Sequence, residues 1–176
     1  MHPQFPATAP LTATAKKTLM TSTVLLMVVG GLAVGTGVWF VVDDFPFTGP
    51  NDRSAKYGMT KDEINQFNPF IVTQTLHAWD QVGFLSISYG LFVIGLAYLG
   101  IRRGQPIAWV ALWLGGTPAQ IGGPIELRYN LETGDAGGGD VLVWLVLALF
   151  LAGMIIPAKQ MIASMKQTQL LTGKRL

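Results

Sequence analysis

The chain has 176 residues, half of them hydrophobic and only 12% charged, with 21 glycines and a formal net charge of +2. Soluble domains carry about a quarter charged residues, so this balance excludes an ordinary water-soluble domain. There is no cysteine, which excludes thiol redox chemistry, thiolate metal sites and disulfide staples.

A helix that crosses ~30 Å of hydrocarbon needs about 20 apolar residues. Residues 19–42 form the first such run, preceded by Lys16 and Lys17. The layout imitates a signal peptide, but the run outlasts an h-region and no small-x-small cleavage site follows it. It reads as a retained helix, with an uncleaved signal anchor as the variant. Residues 1–17, rich in Pro, Ala and Thr, are expected to be a disordered tail. Gly31 and Gly35 form a G-x-x-x-G pattern that fits helix packing, internal or with another subunit.

A loop rich in turn formers follows from Asp43. Its T-K-D-E stretch has the form of a capping box, with Thr60 as N-cap and Glu63 three residues on. This predicts a short surface helix over about 61–67, stopped by Asn68–Pro69. The second long apolar helix is expected over 70–101. It opens with His77, Asp80 and Gln81, whose i, i+3, i+4 spacing puts them on one face. Counting back from Arg102 places Asp80 and Gln81 at the far hydrocarbon boundary, because twenty helical residues cover about 30 Å. Gly83, Ser86, Ser88 and Gly90 continue as small residues suited to close helix approach.

The turn I-R-R-G-Q-P is short, so the third helix, over 106–128, forms a tight hairpin with the second. Pro118 and Pro124 with Gly115, Gly116, Gly122 and Gly123 make its outer half a poor regular helix, and a kink is expected there. The fourth run covers 141–163, after a glycine-rich loop, and a basic tail occupies 165–176.

Basic residues separate by side. Lys16, Lys17, Arg102, Arg103, Lys159, Lys166, Lys174 and Arg175 share one side, against Arg53, Lys56, Lys61 and Arg128 on the other. The positive-inside rule then puts both termini in the cytoplasm. The expected fold is all-α: a four-transmembrane-helix bundle in residues 18–164, with the short helix extracytoplasmic, in a cell membrane and expected in a bacterial inner membrane.

On this layout Gln120 lies on the order of 20 Å across the membrane and Glu126 at the outer boundary. Gln120, Glu126, Arg128 and Tyr129 would then face His77, Asp80 and Gln81 across an outward-facing pocket. A plainer reading stands beside this one. Boundary residues are often polar because water is near, Asp80 and Arg128 could form an interfacial ion pair, and Gln120 a helix-to-helix hydrogen bond. Trp39, Trp79, Trp109 and Trp144 read as interfacial belt residues.

Several chemistries are disfavoured. Only His2 and His77 exist, so bis-histidine haem ligation is not expected, nor is a dinuclear carboxylate site. No cofactor, metal or nucleic-acid partner is expected.

The stretch G-M-T-K-D-E-I-N-Q-F-N-P, the helix opening near His77, the R-R-G turn at Arg102–Gly104 and the tryptophans Trp109 and Trp113 carry a resemblance. Together they resemble a family of small bacterial four-helix integral membrane proteins, broadly DoxX-like in layout, that has no assigned activity. The match covers Gly58 to Trp113 and implies the four-helix fold. A weaker similarity, to the emopamil-binding-type sterol isomerase fold, implies that His77, Asp80, Gln120 and Glu126 could line a lipid-accessible site.

Two functions fit. One is a non-catalytic membrane protein that binds a lipid or other hydrophobic molecule, or that joins other membrane subunits through its first helix. The other is a small membrane enzyme doing isomerase-like acid/base chemistry on a lipid-like substrate, with Asp80 or Glu126 as proton donor or base and His77 assisting.

Overall fold

The computed structural model describes residues 12–43, 47, 58–133 and 139–173, without the side chains of 123, 124, 126–133, 139, 140 and 168–173. Among these residues the chain is helical: α1 Ala13–Val42, α2 Lys61–Phe67, α3 Pro69–Leu99, α4 Pro106–Thr133, α5 Gly139–Ile155 and α6 Ala158–Gly173. Three helical stretches are long and apolar enough to cross a membrane: Ala13–Val42, Pro69–Arg103 and Val141–Gln167. Their outer surfaces carry Val24, Val28, Leu85, Leu91, Leu145 and Ile155 exposed, an apolar coat that suits lipid rather than water.

Helix α1 starts at Ala13 rather than residue 19. The Thr12 side chain accepts from Ala15 N at 3.2 Å, so Lys16 and Lys17 lie inside the helix and not in a tail. The expected disordered segment lies, for residues 1–11, outside the described residues.

Helices α1 and α3 are the main packed pair. They run antiparallel, with Gly30 against Gly90 and Gly37 against Gly83. A Cβ placed on Gly30 would lie 2.7 Å from Gly90 O, and one on Gly83 would lie 2.8 Å from Gly37 O. Backbone meets backbone, so these four positions admit no side chain. Gly31 and Gly35, by contrast, have open space around them. The internal half of the G-x-x-x-G expectation is therefore corrected. A seven-residue glycine spacing on each helix, one step out of phase with Gly31, makes this contact.

The α3–α4 hairpin closes through Ile101–Arg103, a 3₁₀ turn capped by Gly104 at φ 69. That left-handed conformation favours glycine, because a Cβ would crowd the carbonyl. Arg102 lies 5.1 Å from the centre of the Tyr98 ring, a cation–π contact across the turn. Helix α4 is assigned as continuous from Pro106 to Thr133, through Pro118 and Pro124. The irregular outer half expected from these residues is not seen; helical hydrogen bonding resumes past each proline, which removes only its own donor.

The fourth apolar run does break. Helix α5 ends at Ile155 and α6 begins at Ala158, across a turn at Ile156 and Pro157 that lies within the one apolar stretch Val141–Gln167. Pro157 has no N–H for the Gly153 carbonyl, and its ring crowds that oxygen. The Ser22 hydroxyl of α1 donates to Gly153 O instead. Next along, Met154 O accepts from Trp109 Nε1 of α4 at 2.8 Å. Three elements are thus joined at one proline.

The core lies at this end of the bundle. Leu19, Leu26, Val29, Val93, Ala97, Ile101, Leu112, Phe150, Met154 and Met161 form one buried cluster. A smaller cluster at the opposite end gathers Phe47, Ile64 and Val72. Its helix α2 carries the expected capping box: Glu63 N donates to Thr60 Oγ1 at 3.1 Å, and Thr60 N to Glu63 Oε2 at 2.7 Å.

Candidate functional site

Helices α3 and α4 diverge gradually from their turn. Gly100 sits against the Ala108 side chain, with no room for a Cβ. Further up, a Cβ on Gly115 would lie 3.3 Å from the Phe92 ring. Higher still, Gln120 Nε2 donates to Tyr89 OH at 3.0 Å. The three pairs keep one antiparallel register. A glycine closes the lowest, a ring on glycine the middle one, and two long polar side chains reach across the highest.

A half-open cleft of about 500 Å³ lies at this third pair. Its walls are Leu32, Ala33 and Thr36 of α1, Val82, Leu85, Ser86 and Tyr89 of α3, Ala119 and Gln120 of α4, and three residues of α5. Most of the wall is hydrocarbon. Among the described residues its polar groups are the hydroxyls of Thr36, Ser86 and Tyr89 and the amide of Gln120, and none of those lining it is charged. Val82, Leu85 and Leu142 are exposed and form part of its rim on the apolar outer surface. A mostly apolar pocket of this size with a few convergent polar groups is the usual form of a small-molecule site.

Of the residues singled out in the sequence, Gln120 lines the cleft. His77 and Gln81 are exposed and pair with each other, His77 Nε2 to Gln81 Nε2 at 3.1 Å. Asp80 is half-buried and, at about 100° per residue, lies on the side of α3 opposite Val82, Ser86 and Tyr89. The side chains of Glu126, Arg128 and Tyr129 lie outside the described residues.

The four tryptophans of the expected belt divide. Trp39 and Trp144 are exposed, and Trp39 Nε1 donates to Asp43 Oδ2 at 2.6 Å. Trp79 is half-buried and edge-on to Phe40, with centroids 5.2 Å apart. Trp109 packs on the core, and its Nε1 is committed to the Met154 carbonyl of α5. Trp113 lies edge-on beside it, 6.1 Å between centroids, and its Nε1 is buried without a partner among the described residues.

Tyr89, Thr36 and the two alanines of the cleft were missed by sequence reasoning. A usable signal existed for Tyr89. A phenol inside an apolar run needs a partner, and the hairpin register places Gln120 opposite it.

Among the described residues no group of His, Asp and Glu is arranged to hold a metal ion. The fold and cleft define a helical bundle with three helices able to cross a membrane. No protein-family model, curated protein or solved structure matches the chain.

Proposed function

We propose that this protein is an integral membrane protein that binds a hydrophobic molecule in the cleft between α1, α3, α4 and α5. The observation that carries the reading is the cleft itself: about 500 Å³, apolar walls, and Tyr89 and Gln120 joined at 3.0 Å within it. Its exposed rim residues lie on the surface that lipid would cover, so a ligand dissolved in the bilayer has an entry path.

The topology belongs to the same proposal. Helix α4 is the fourth span of a multi-pass protein in a bacterial inner membrane, with both termini in the cytoplasm. The register of α4 against α3 over Gly100–Ala108, Phe92–Gly115 and Tyr89–Gln120 supports this, since a helix so aligned occupies the same slab as its neighbour. Its tryptophans, glycines, prolines and Gln120 make it less apolar than the other three, and it packs against both α3 and α5. The DoxX-like layout is proposed on the same grounds.

Binding is favoured over acid/base catalysis because Asp80 lies on the far side of α3 from the cleft and the described lining offers no carboxylate or histidine. The test is extraction in a gentle detergent followed by native mass spectrometry. One hydrophobic molecule per chain is expected, and it should be absent from Ala33→Phe, whose ring would fill the cleft. A ligand-free chain that carries stoichiometric protein subunits instead would replace this reading with an accessory role.

A further inference from the structure

The cleft also bears on what kind of molecule it takes; this step rests on the binding reading above. Three observations bear on the ligand's head. The first is charge: among the described residues the lining contributes hydroxyls and one amide, and no ionised side chain. A phosphate or carboxylate there would be a buried, unpaired ion, which low-dielectric surroundings strongly disfavour.

The second is depth. Tyr89 precedes Arg102 by thirteen residues, about 20 Å of helix. If the arginine turn marks one hydrocarbon boundary, roughly 10 Å of the ~30 Å core remains between Tyr89 and the other. A phospholipid head rests at the interface and cannot descend to Tyr89 without shedding its water. A small uncharged head can.

The third is hydrogen-bond polarity. A phenol has one proton to give and can accept as well. Gln120 Nε2 donates to the Tyr89 oxygen, so the tyrosine proton is not used in that bond. Among the described residues it is given to no protein acceptor, and it is available to a ligand oxygen. Ser86 stands one turn from Tyr89 on the same face, with Thr36 across from it on α1.

We propose that the cleft selects a lipid whose head is small, uncharged and carries a hydrogen-bond-accepting oxygen, a long-chain alcohol or ketone, held by Tyr89 with Gln120 orienting the phenol. The tail lies along the hydrocarbon wall made by Leu32, Leu85 and Val146.

The experiment is photolabelling of the full chain in lipid nanodiscs with a diazirine-bearing long-chain alcohol, followed by peptide mapping. Labelling is expected on α3 and α4 peptides, competed by hexadecanol and by a long-chain methyl ketone. Palmitate at alkaline pH, where it is ionised, and short-chain phosphatidylcholine should not compete. Tyr89→Phe keeps the ring and removes only the donor, and it should weaken competition by hexadecanol about fivefold. Gln120→Leu should have a smaller effect in the same direction.

Equal competition by palmitate or phosphatidylcholine would overturn the uncharged-head inference and leave the cleft as a binding site. Wild-type affinity in Tyr89→Phe would overturn the assigned donor. Absence of cleft labelling in the wild type, or undiminished labelling in Ala33→Phe, would sink the binding reading together with this one. Unchanged thermal melting of Tyr89→Phe separates a lost contact from a lost fold.

Discussion

The Ser22 hydroxyl donates to the main-chain oxygen of Gly153, the oxygen that Pro157 leaves without a helical donor. The bond crosses from α1 to α5 and is fully buried. It compensates a defect written into the fourth apolar run, and Gly153 itself admits the approach, since a Cβ there would lie 2.8 Å from Leu26 Cγ.

Removing the hydroxyl should therefore expose the defect. Ser22→Ala is expected to destabilise by about 1 kcal/mol, within the range found for hydrogen bonds between membrane helices. Pro157→Ala restores the N–H, so Ser22→Ala in that background should cost less. A double-mutant cycle by thermal or detergent unfolding checks this. Additive losses would mean that the hydroxyl and the proline act separately.

The glycines make a sharper contrast. Gly90→Ala places a methyl against Gly30 O and the Val34 side chain, and Gly37→Ala one against Gly83 O and Ile87. Each should separate α1 from α3 and cost about 2 kcal/mol or more, the scale of overpacking a tight core. Gly31→Ala and Gly35→Ala meet nothing within 4 Å and should be neutral or slightly stabilising, since alanine is the better helix former. Unfolding midpoints of the four variants decide it. Equal losses at Gly31 and Gly90 would show that Gly31 also packs, against a second chain.

These two contacts show where the sequence is legible and where it is not. Thr60, Glu63 and Asn68 act on their own neighbours in the chain, so the bounds of α2 can be read directly. The long apolar runs of α1 and α3 are equally plain. Which glycine faces inward is a different matter. Gly30 and Gly31 differ by about 100° around one helix, and only the partner's position fixes that phase. Pro157 hides inside an apolar run because its cost is met by Ser22, 135 positions earlier. The cleft is only partly legible for the same reason: Gln120 was singled out, and its partner Tyr89 was not. His77, Asp80 and Gln81 draw attention as polar residues where an apolar run begins, whereas the cleft is lined by Tyr89 and Ser86, about one to three turns further along α3 and on the side away from Asp80.

The short helix offers a local test. Thr60→Ala removes the acceptor for Glu63 N, and Glu63→Ala removes the one for Thr60 N. Each should weaken α2 by about 1 kcal/mol and loosen Ile64 from Val72 and Phe47. Amide exchange of residues 61–67 should rise at least severalfold while α1 and α3 stay protected. Faster exchange throughout the bundle would mean that α2 supports the membrane helices and is not merely docked on them.

Topology can be decided chemically, because the chain has no cysteine to interfere. Single substitutions Asn65→Cys on α2, Arg103→Cys at the hairpin turn and Lys166→Cys on α6 all fall at exposed positions. In intact bacteria, a membrane-impermeant maleimide should modify Asn65→Cys alone, and the other two only after the inner membrane is opened. This pattern needs an odd number of crossings between α2 and the turn and an even number between the turn and α6; with the apolar α5–α6 segment crossing, the second is satisfied only if α4 crosses too. Were α4 to lie along the surface, Lys166 would emerge on the side opposite Arg103 and be labelled with Asn65. The four-span proposal therefore stands or falls on whether Arg103→Cys and Lys166→Cys behave alike.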